Sequence, residues 1–243
     1  MRPVSRPAAH ASRSRRAAGW LVHALTASGA VWGLLAVLAI DGGRYSAAFC
    51  WMAAATATDG VDGALARRAG VSRSVPGIDG TLLDNLVDYL NYVFVPAYLL
   101  VRADVVPGPL GLAAAALICV ASLFQFARVD AKTDDLLFTG FPSYWNVVAL
   151  YVVLLRPPAA VTAAVVAILC TLVFVPIRYV YPSRTRILRW PTLVLTLAWA
   201  LCALLLVFEL DEPRPWLVWT SLLYVAYYFG LSVALTVRRR RTA

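Results

Sequence analysis

The chain has 243 residues, of which 61% are apolar and 14% charged, and its mean hydropathy is +0.72. Long apolar stretches recur along the whole sequence, which excludes an ordinary soluble enzyme and predicts one polytopic membrane domain. The net charge of +9 could indicate a nucleic-acid-binding protein, but the distribution of the charges favours a membrane protein that binds no nucleic acid.

Eight apolar segments predict an all-α bundle of about eight transmembrane helices. Most are close to the ~20 residues that a bilayer crossing requires, and the fifth is the weakest. In chain order they cover about 19–40, 44–66, 80–101, 108–127, 138–155, 158–180, 190–208 and 215–237. Residues 1–18 are predicted to form a disordered basic tail, residues 19–237 the membrane domain, and residues 238–243 a basic C-terminal tail.

The basic residues predict the orientation of these helices. If the N-terminus is cytoplasmic, 18 of the 22 lysines and arginines fall in cytoplasmic segments and 4 fall outside. Cytoplasmic loops of membrane proteins carry such an excess of positive charge. The pattern therefore predicts two cytoplasmic termini, and it requires the fifth segment to be a span.

Five of the thirteen acidic residues are concentrated in the second and third predicted helices and the loop between them. Asp59 and Asp62 are three residues apart, and Asp84 and Asp88 are four apart, so each pair shares one face of its helix. The two helices are antiparallel and their connecting loop is cytoplasmic. We therefore expect the four carboxylates to converge near the inner membrane surface, whereas Asp79 lies off this face.

Converging carboxylates repel one another unless cations separate them. Carboxylate oxygens suit Mg²⁺ or Mn²⁺, and two such ions can support phosphoryl transfer. Gly63 and Gly80 would let a bulky polar group approach both helix backbones, and Arg67 can meet a phosphate oxygen. These residues predict a site for a lipid that carries a diphosphate.

The pattern Asp59-x-x-Asp62-Gly63-x-x-Ala66-Arg67, followed by Gly80-x-x-x-Asp84-x-x-x-Asp88, resembles the signature of the CDP-alcohol phosphotransferase family. The spacer between Arg67 and Gly80 has twelve residues, which is longer than in most of that family. The spacer and the stretches LLDNLVDYLNYVFVP, QFARVDAKTDD, GFPSYWN and VPIRYVYPSRT are similar to the bacterial branch that uses choline as its acceptor.

The resemblance implies an enzyme that transfers the phosphatidyl group of CDP-diacylglycerol to choline and releases CMP. It implies two divalent ions, Mn²⁺ or Mg²⁺, on Asp59, Asp62, Asp84 and Asp88, with Asp88 also the catalytic base. By the same resemblance, CDP-diacylglycerol binds at Asp62, Gly63, Ala66, Arg67 and Gly80. It further implies a homodimer in the bacterial inner membrane with a cytoplasmic active site.

Choline adds a physical requirement, because quaternary ammonium groups favour aromatic faces. The candidates near the level of the acids are Tyr89, Tyr92, Tyr144 and Trp145, with Gln125 and Asn146 as polar neighbours. The alternative is that these aromatic residues belong to the belt found at any membrane interface. Arg128 and Arg178 could contact a substrate phosphate, or could be topology charges that extend to the interface.

Two other functions stay open at this point. The acceptor could be serine, inositol phosphate or glycerol phosphate instead of choline. A cation-coupled transporter could also carry intramembrane acids, although here the acids cluster at one edge and no inverted repeat is evident. The mixed charges of Asp130, Lys132, Asp134 and Asp135 predict a solvated cytoplasmic loop.

Overall fold

The computed structural model describes residues 12–128, 137–182, 185 and 187–240, with the side chains of residues 239 and 240 left out. The predicted charged loop at Asp130, Lys132, Asp134 and Asp135 lies outside the described residues. The same holds for residues 1–11 of the predicted N-terminal tail and for residues 241–243.

The described residues are predominantly helical, which confirms the predicted all-α class in its coarse form. The elements are α1 (Arg13–Asp41), α2 (Tyr45–Ala69), α3 (Val71–Ser74), α4 (Gly80–Tyr89), a π-helical segment (Leu90–Phe94), α5 (Val95–Arg102), α6 (Pro109–Ala127), β1 (Leu137–Thr139), α7 (Trp145–Leu155), α8 (Ala159–Phe174), β2 (Arg178–Val180), α9 (Arg189–Val207) and α10 (Pro215–Arg240). The small antiparallel sheet of β1 and β2 was not predicted.

Four helices in the described part of the chain are long and apolar enough to cross a membrane, namely α1, α6, α9 and α10. Helices α7 and α8 have 11 and 16 residues. At a rise of about 1.5 Å per residue they are shorter than a hydrocarbon core of about 30 Å.

The outer surface of α9 illustrates how apolar the exterior of the bundle is. Trp190, Val194, Leu197 and Leu201 recur every three or four residues and are 59–71% exposed. Residues at this spacing form one helix face. A continuous exposed apolar face of this kind is typical of a helix that contacts lipid rather than water.

Helix α1 begins within the predicted N-terminal tail. Ser12 is its N-cap, and the Ser12 hydroxyl accepts a hydrogen bond from the amide of Arg15 at 3.4 Å. Serine is a favoured residue at this position because its oxygen satisfies one of the unpaired amides of the first turn. Among the described residues, α1 therefore starts at Arg13.

Helix α4, the π-helical segment and α5 follow one another without a break and correspond to the third predicted helix. Asp79 caps this rod, because its Oδ1 accepts hydrogen bonds from the amides of Thr81 and Leu82, each at 3.0 Å. This N-cap role accounts for its separation from the other acids. Further along, Pro96 has no amide hydrogen, and its ring crowds the carbonyl of Tyr92, which accounts for the wider π-helical turns just before it.

Helix α1 packs closely against α4 and the π-helical segment because two of its residues are glycines. A Cβ atom on Gly29 would lie 2.4 Å from Cγ1 of Val87, and one on Gly33 would lie 3.0 Å from Oδ1 of Asn91. The Asn91 side-chain amide donates to the carbonyl of Gly29 at 2.9 Å. Small residues four apart are a recurrent means of bringing two membrane helices together.

The fifth and sixth predicted helices are shorter than expected, because part of each forms the sheet. Gly140 has a φ of +79°, and a Cβ atom there would lie 2.2 Å from the carbonyl oxygen of Val173. This turn therefore requires glycine and delays the start of α7 until Trp145. Thr139 then pairs with Arg178 in the sheet, so residues that look like helix ends by hydropathy form strands.

The sheet is attached to the bundle through side chains of two helices. The Gln125 amide of α6 donates to the carbonyl of Thr139 at 2.9 Å. On α10, the Tyr228 hydroxyl donates to the carbonyl of Val180 at 3.1 Å, and Ser232 accepts from the Val180 amide at 3.2 Å. These bonds satisfy backbone groups that would otherwise be buried without partners.

We predict that Gly29→Ala destabilises the protein, because the new methyl group would overlap the stiff side chain of Val87. Overpacking of this kind typically costs about 1–3 kcal/mol. The thermal unfolding midpoint of the purified protein in detergent measures the effect. Gly230→Ala on α10 is the matched control, because a Cβ atom there meets nothing within 4 Å, and equal midpoints for the two variants would contradict the prediction.

Candidate functional site

Three of the four predicted metal ligands come together in the structure. Asp59 of α2 and Asp84 and Asp88 of α4 each offer one carboxylate oxygen, and these oxygens all lie within 4.8 Å of one another. All three residues are partly buried. The spacing that predicted one face on each helix thus brings acids from the two helices to one point.

Asp62 lines the same cavity but lies outside this group of three. It is the most buried of the four acids, with 4% of its surface exposed. Its Oδ2 accepts a hydrogen bond of 2.6 Å from the hydroxyl of Thr26 on α1. The cavity is lined by Thr26, Gly29, Ala55, Thr58, Asp59, Asp62, Asp84, Val87, Asp88, Asn91 and Tyr92.

The chemistry of this donor set fits a hard divalent cation. Three carboxylates so close together repel one another when all are ionised, and a cation among them removes that penalty. Carboxylate oxygens are the ligands that Mg²⁺ and Mn²⁺ prefer. One of the three is also held by a neutral donor, because the Tyr92 hydroxyl donates to Oδ2 of Asp59 at 2.8 Å.

The predicted contacts for CDP-diacylglycerol continue along the same two helices. Gly63 and Ala66 are partly exposed on α2, and Arg67 is exposed in its last turn. Gly80 is exposed at the start of α4, where a Cβ atom would lie 3.2 Å from Cε1 of His23. A side chain at position 80 would therefore make a tight contact with the His23 ring of α1.

Two of the predicted choline-binding aromatic residues belong to one ring cluster next to the acids. Tyr92 lines the cavity, and its ring centroid lies 6.2 Å from that of Tyr144. Tyr144 in turn lies 6.5 Å from Tyr228 of α10. Tyr228 was not predicted to belong to this site, because nothing in the sequence indicates that α10 lies next to the start of α7.

The other two predicted aromatic residues point elsewhere. The Tyr89 hydroxyl donates to the carbonyl of Cys119 on α6 at 3.0 Å. Trp145 is completely buried, and its indole N–H donates to the hydroxyl of Ser122 on α6 at 2.8 Å. Neither residue lines the acid cavity in the described structure, and their contacts are typical of residues that pack α6 against its neighbours.

Of the two predicted polar neighbours, Gln125 bonds to the sheet, whereas Asn146 contacts a helix that carries two of the acids. Gln125 is buried at 4% exposure, and its amide is used to hold the sheet at Thr139. Asn146 contacts α2, because its side-chain amide donates to the hydroxyl of Thr56 at 3.5 Å. Thr56 is three residues from Asp59, so Asn146 lies on the side of α2 that carries the acid.

Arg128 and Arg178, the two predicted phosphate contacts, each make a hydrogen bond to a neighbouring segment. Arg128 caps the end of α6, and its Nη1 donates to the carbonyl of Val173 at 3.2 Å. Arg178 begins β2, and its amide donates to the hydroxyl of Thr236 on α10 at 2.9 Å. Arg128 therefore has a structural bond that the sequence did not predict, and a phosphate contact for either arginine stays a prediction.

Among the polar residues that line the cavity, three were not predicted from the sequence, namely Thr26, Thr58 and Asn91. Thr26 and Asn91 are both buried polar residues within apolar helices. Polar residues in such positions are rare and generally form helix–helix hydrogen bonds. Isolated polar residues in apolar segments could therefore have indicated helix–helix hydrogen bonds at these positions. The partner of each residue could not be predicted from the sequence.

Comparisons with known proteins identify relatives over most of the chain. A protein named phosphatidylcholine synthase from Borreliella burgdorferi is 36% identical over 223 residues, which cover 91% of this chain and 95% of the relative. Proteins of the same name from Legionella pneumophila and Pseudomonas aeruginosa are each 37% identical; the matches cover 88% and 89% of this chain and 87% and 91% of those relatives. No protein-family model matches the chain.

Each match covers most of this chain and most of the relative. The similarity is therefore not limited to a local motif, because it extends over membrane helices and the connections between them. The residues that form the acid cavity lie within that shared length. The chain therefore belongs to the phosphatidylcholine synthase family.

Proposed function

We propose that the chain transfers the phosphatidyl group of CDP-diacylglycerol to choline and releases CMP. The observation that carries the proposal is the convergence of Asp59, Asp84 and Asp88 at one cavity, in a chain whose relatives are named phosphatidylcholine synthase. The wider assignment to the CDP-alcohol phosphotransferases rests on the spacing of the motif that contains these acids.

Asp59, Asp62, Asp84 and Asp88 would hold two divalent ions, Mn²⁺ or Mg²⁺. When bound, these ions would supply positive charge that neutralises the diphosphate of the substrate and stabilises the departing CMP. The geometry that supports this assignment is the short separation of three carboxylates, with Asp62 on the same cavity wall.

Asp88 is the proposed base. Its carboxylate would accept the proton of the choline hydroxyl, whose oxygen would attack the phosphorus that carries the diacylglycerol oxygen. The bond between this phosphorus and the bridging oxygen of the diphosphate would break, and CMP would leave with that oxygen. Phosphatidylcholine and CMP are then the two products, and the proton remains on Asp88 until it is released to solvent.

The remaining site assignments concern substrate binding. Gly63, Ala66, Arg67 and Gly80, with Asp62, would line the cytidine diphosphate pocket, and the exposed guanidinium of Arg67 would pair with a phosphate oxygen. Arg128 and Arg178 are further candidates for phosphate contact.

For choline, the contacts described above favour Tyr92, Tyr144 and Asn146. These residues lie beside the acid cavity or against the helix that carries Asp59. Aromatic faces attract a quaternary ammonium group by about 0.5–2 kcal/mol. Tyr89, Trp145 and Gln125 have contacts within the protein that leave them less suited to this role.

The membrane arrangement is part of the proposal. We assign eight spans with both termini in the cytoplasm. The third comprises α4, the π-helical segment and α5, and the fifth and sixth comprise the short helices α7 and α8 together with the neighbouring strand segments. The excess of positive charge in the cytoplasmic segments supports this orientation. The active site would face the cytoplasm in the inner membrane of a bacterium, residues 19–237 would form the membrane domain, and two copies would form a homodimer.

The reaction can be tested with purified protein, CDP-diacylglycerol, choline and Mn²⁺. We expect phosphatidylcholine and CMP in equal amounts, loss of the reaction on addition of EDTA, and recovery with excess Mn²⁺. Serine, inositol phosphate and glycerol 3-phosphate are the comparison acceptors. Product from one of these but not from choline would exclude choline as the acceptor, and choline uptake by vesicles without CDP-diacylglycerol would favour a transporter.

The acid cluster predicts a second outcome. Asp84→Asn and Asp88→Asn should each abolish turnover and weaken Mn²⁺ binding. Loss of a residue that only orients a metal ligand lowers affinity by about 10–100-fold, and loss of a ligand itself should lower it by at least as much. Asp104→Asn is the control, because Asp104 is exposed between α5 and α6 and its positive φ suits asparagine. Normal Mn²⁺ binding by the cavity variants would contradict the assignment, provided that they accumulate in the membrane fraction.

The aromatic assignment predicts a selective effect on choline. Tyr144→Leu should raise the Michaelis constant for choline by about two- to thirtyfold, which corresponds to a cation–π energy of about 0.5–2 kcal/mol. The Michaelis constant for CDP-diacylglycerol should change little. Tyr227→Leu on α10 is the matched control, and an equal effect of both variants on choline would rule out a specific role for Tyr144.

A further inference from the structure

We infer that Thr26 and Tyr92 are positioning residues that orient the two acids of α2, Asp62 and Asp59, for metal binding. The inference rests on the proposed function, because it concerns the same carboxylates. Neither residue belongs to the acidic motif, and each comes from a different helix that packs beside α2.

The Thr26 hydroxyl has one proton and two acceptors within reach. Oδ2 of Asp62 is 2.6 Å away and the carbonyl of Val22 is 3.3 Å away. A threonine in a helix commonly bonds back to the carbonyl four residues earlier. Here the shorter distance and the charge of the acceptor both direct the proton to Asp62, since hydrogen bonds to ionised groups are shorter and stronger.

The hydrogen bond between Thr26 and Asp62 is buried, so water cannot easily replace it. Thr26 is 8% exposed and Asp62 is 4% exposed, so water has little access to the carboxylate. The hydroxyl occupies one oxygen of Asp62 and fixes the rotation of the carboxylate group. The other oxygen is then held in one direction, which is what a metal ligand requires.

Tyr92 acts in the same way on Asp59. Its hydroxyl donates to Oδ2 at 2.8 Å, and its position depends on the π-helical segment that precedes Pro96. Tyr92 is the third of the five residues of this segment, so the wider turns themselves set the angle at which its side chain leaves the helix axis. The π-helical segment therefore places a donor at the acid cavity, and such segments often occur at functional sites.

The two acids of α2 thus each have a hydroxyl donor from a neighbouring helix, and both donors line the cavity. Outer-shell hydrogen bonds of this kind orient metal ligands, and their removal typically lowers metal affinity or activity by about 10–100-fold. A role limited to folding would change stability without changing metal affinity.

The test is equilibrium Mn²⁺ binding to the full-length purified protein, measured from the electron paramagnetic resonance signal of free Mn²⁺. Thr26→Val and Tyr92→Phe should each weaken binding by about 10–100-fold and lower turnover in parallel. Thr26→Ser keeps the hydroxyl and should bind Mn²⁺ as the unaltered protein does. Tyr92→Phe keeps the ring, so the Michaelis constant for choline should not rise with it.

The matched controls break an equivalent hydrogen bond away from the cavity. Thr192 of α9 is 1% exposed, and its hydroxyl lies 2.8 Å from that of Tyr227 on α10. Thr192→Val and Tyr227→Phe should lower the unfolding midpoint and leave Mn²⁺ binding unchanged. Normal Mn²⁺ binding by both Thr26→Val and Tyr92→Phe would overturn the inference, as would an equal loss in the controls.

A folding defect in a variant, or a failure of the proposed function, can be distinguished from a failure of the inference. If Thr26→Val does not fold, Thr26→Ala also lacks the hydroxyl and is smaller, so its Mn²⁺ affinity decides the role of Thr26. If the unaltered protein uses an acceptor other than choline, the proposed function fails. The comparison of Mn²⁺ affinities still tests the inference in that case, because it needs no acceptor.

Discussion

The structure depends on keeping several carboxylates close together inside an apolar helix bundle. Asp59, Asp84 and Asp88 converge within 4.8 Å, and Asp62 lines the same cavity. A single aspartate at the centre of a membrane helix costs about 2.5–3.5 kcal/mol on insertion scales, and like charges add repulsion. The hydroxyl donors around the cavity offset part of this unfavourable energy, as would a cation held by the three carboxylates.

Close helix packing is what makes those donors available. Gly29 lets α1 approach α4 so closely that a methyl group would overlap Val87, and Thr26, three residues earlier on α1, donates to Asp62 of α2. Asn91 then ties the π-helical segment to the Gly29 carbonyl. The geometry of the acids is therefore set by a third helix that carries no acid at the cavity, as well as by the two helices that bear the motif.

The sequence predicted those parts of the site that depend on local spacing. Asp84 and Asp88 share a helix face because of a four-residue step, and the choline branch inferred from the motif and its neighbours agrees with the names of the relatives. Contacts between distant segments could not be predicted in this way. Tyr144 and Trp145 are adjacent in sequence, but the first joins the ring cluster and the second bonds to Ser122. Hydropathy likewise assigned strand residues such as Thr139 to a helix, because it measures apolar content and does not weigh the turn signals of Gly140 and Pro142.

The unequal burial of the acids follows from how each can be neutralised. Asp59, Asp84 and Asp88 are only partly buried around the cavity, so part of each side chain is accessible to solvent. Asp62 is almost completely buried, and a carboxylate in that position needs a donor that is always present. The Thr26 hydroxyl meets that need from within the bundle at 2.6 Å. A fixed donor at the most buried acid thus complements the cation that the other three carboxylates could hold.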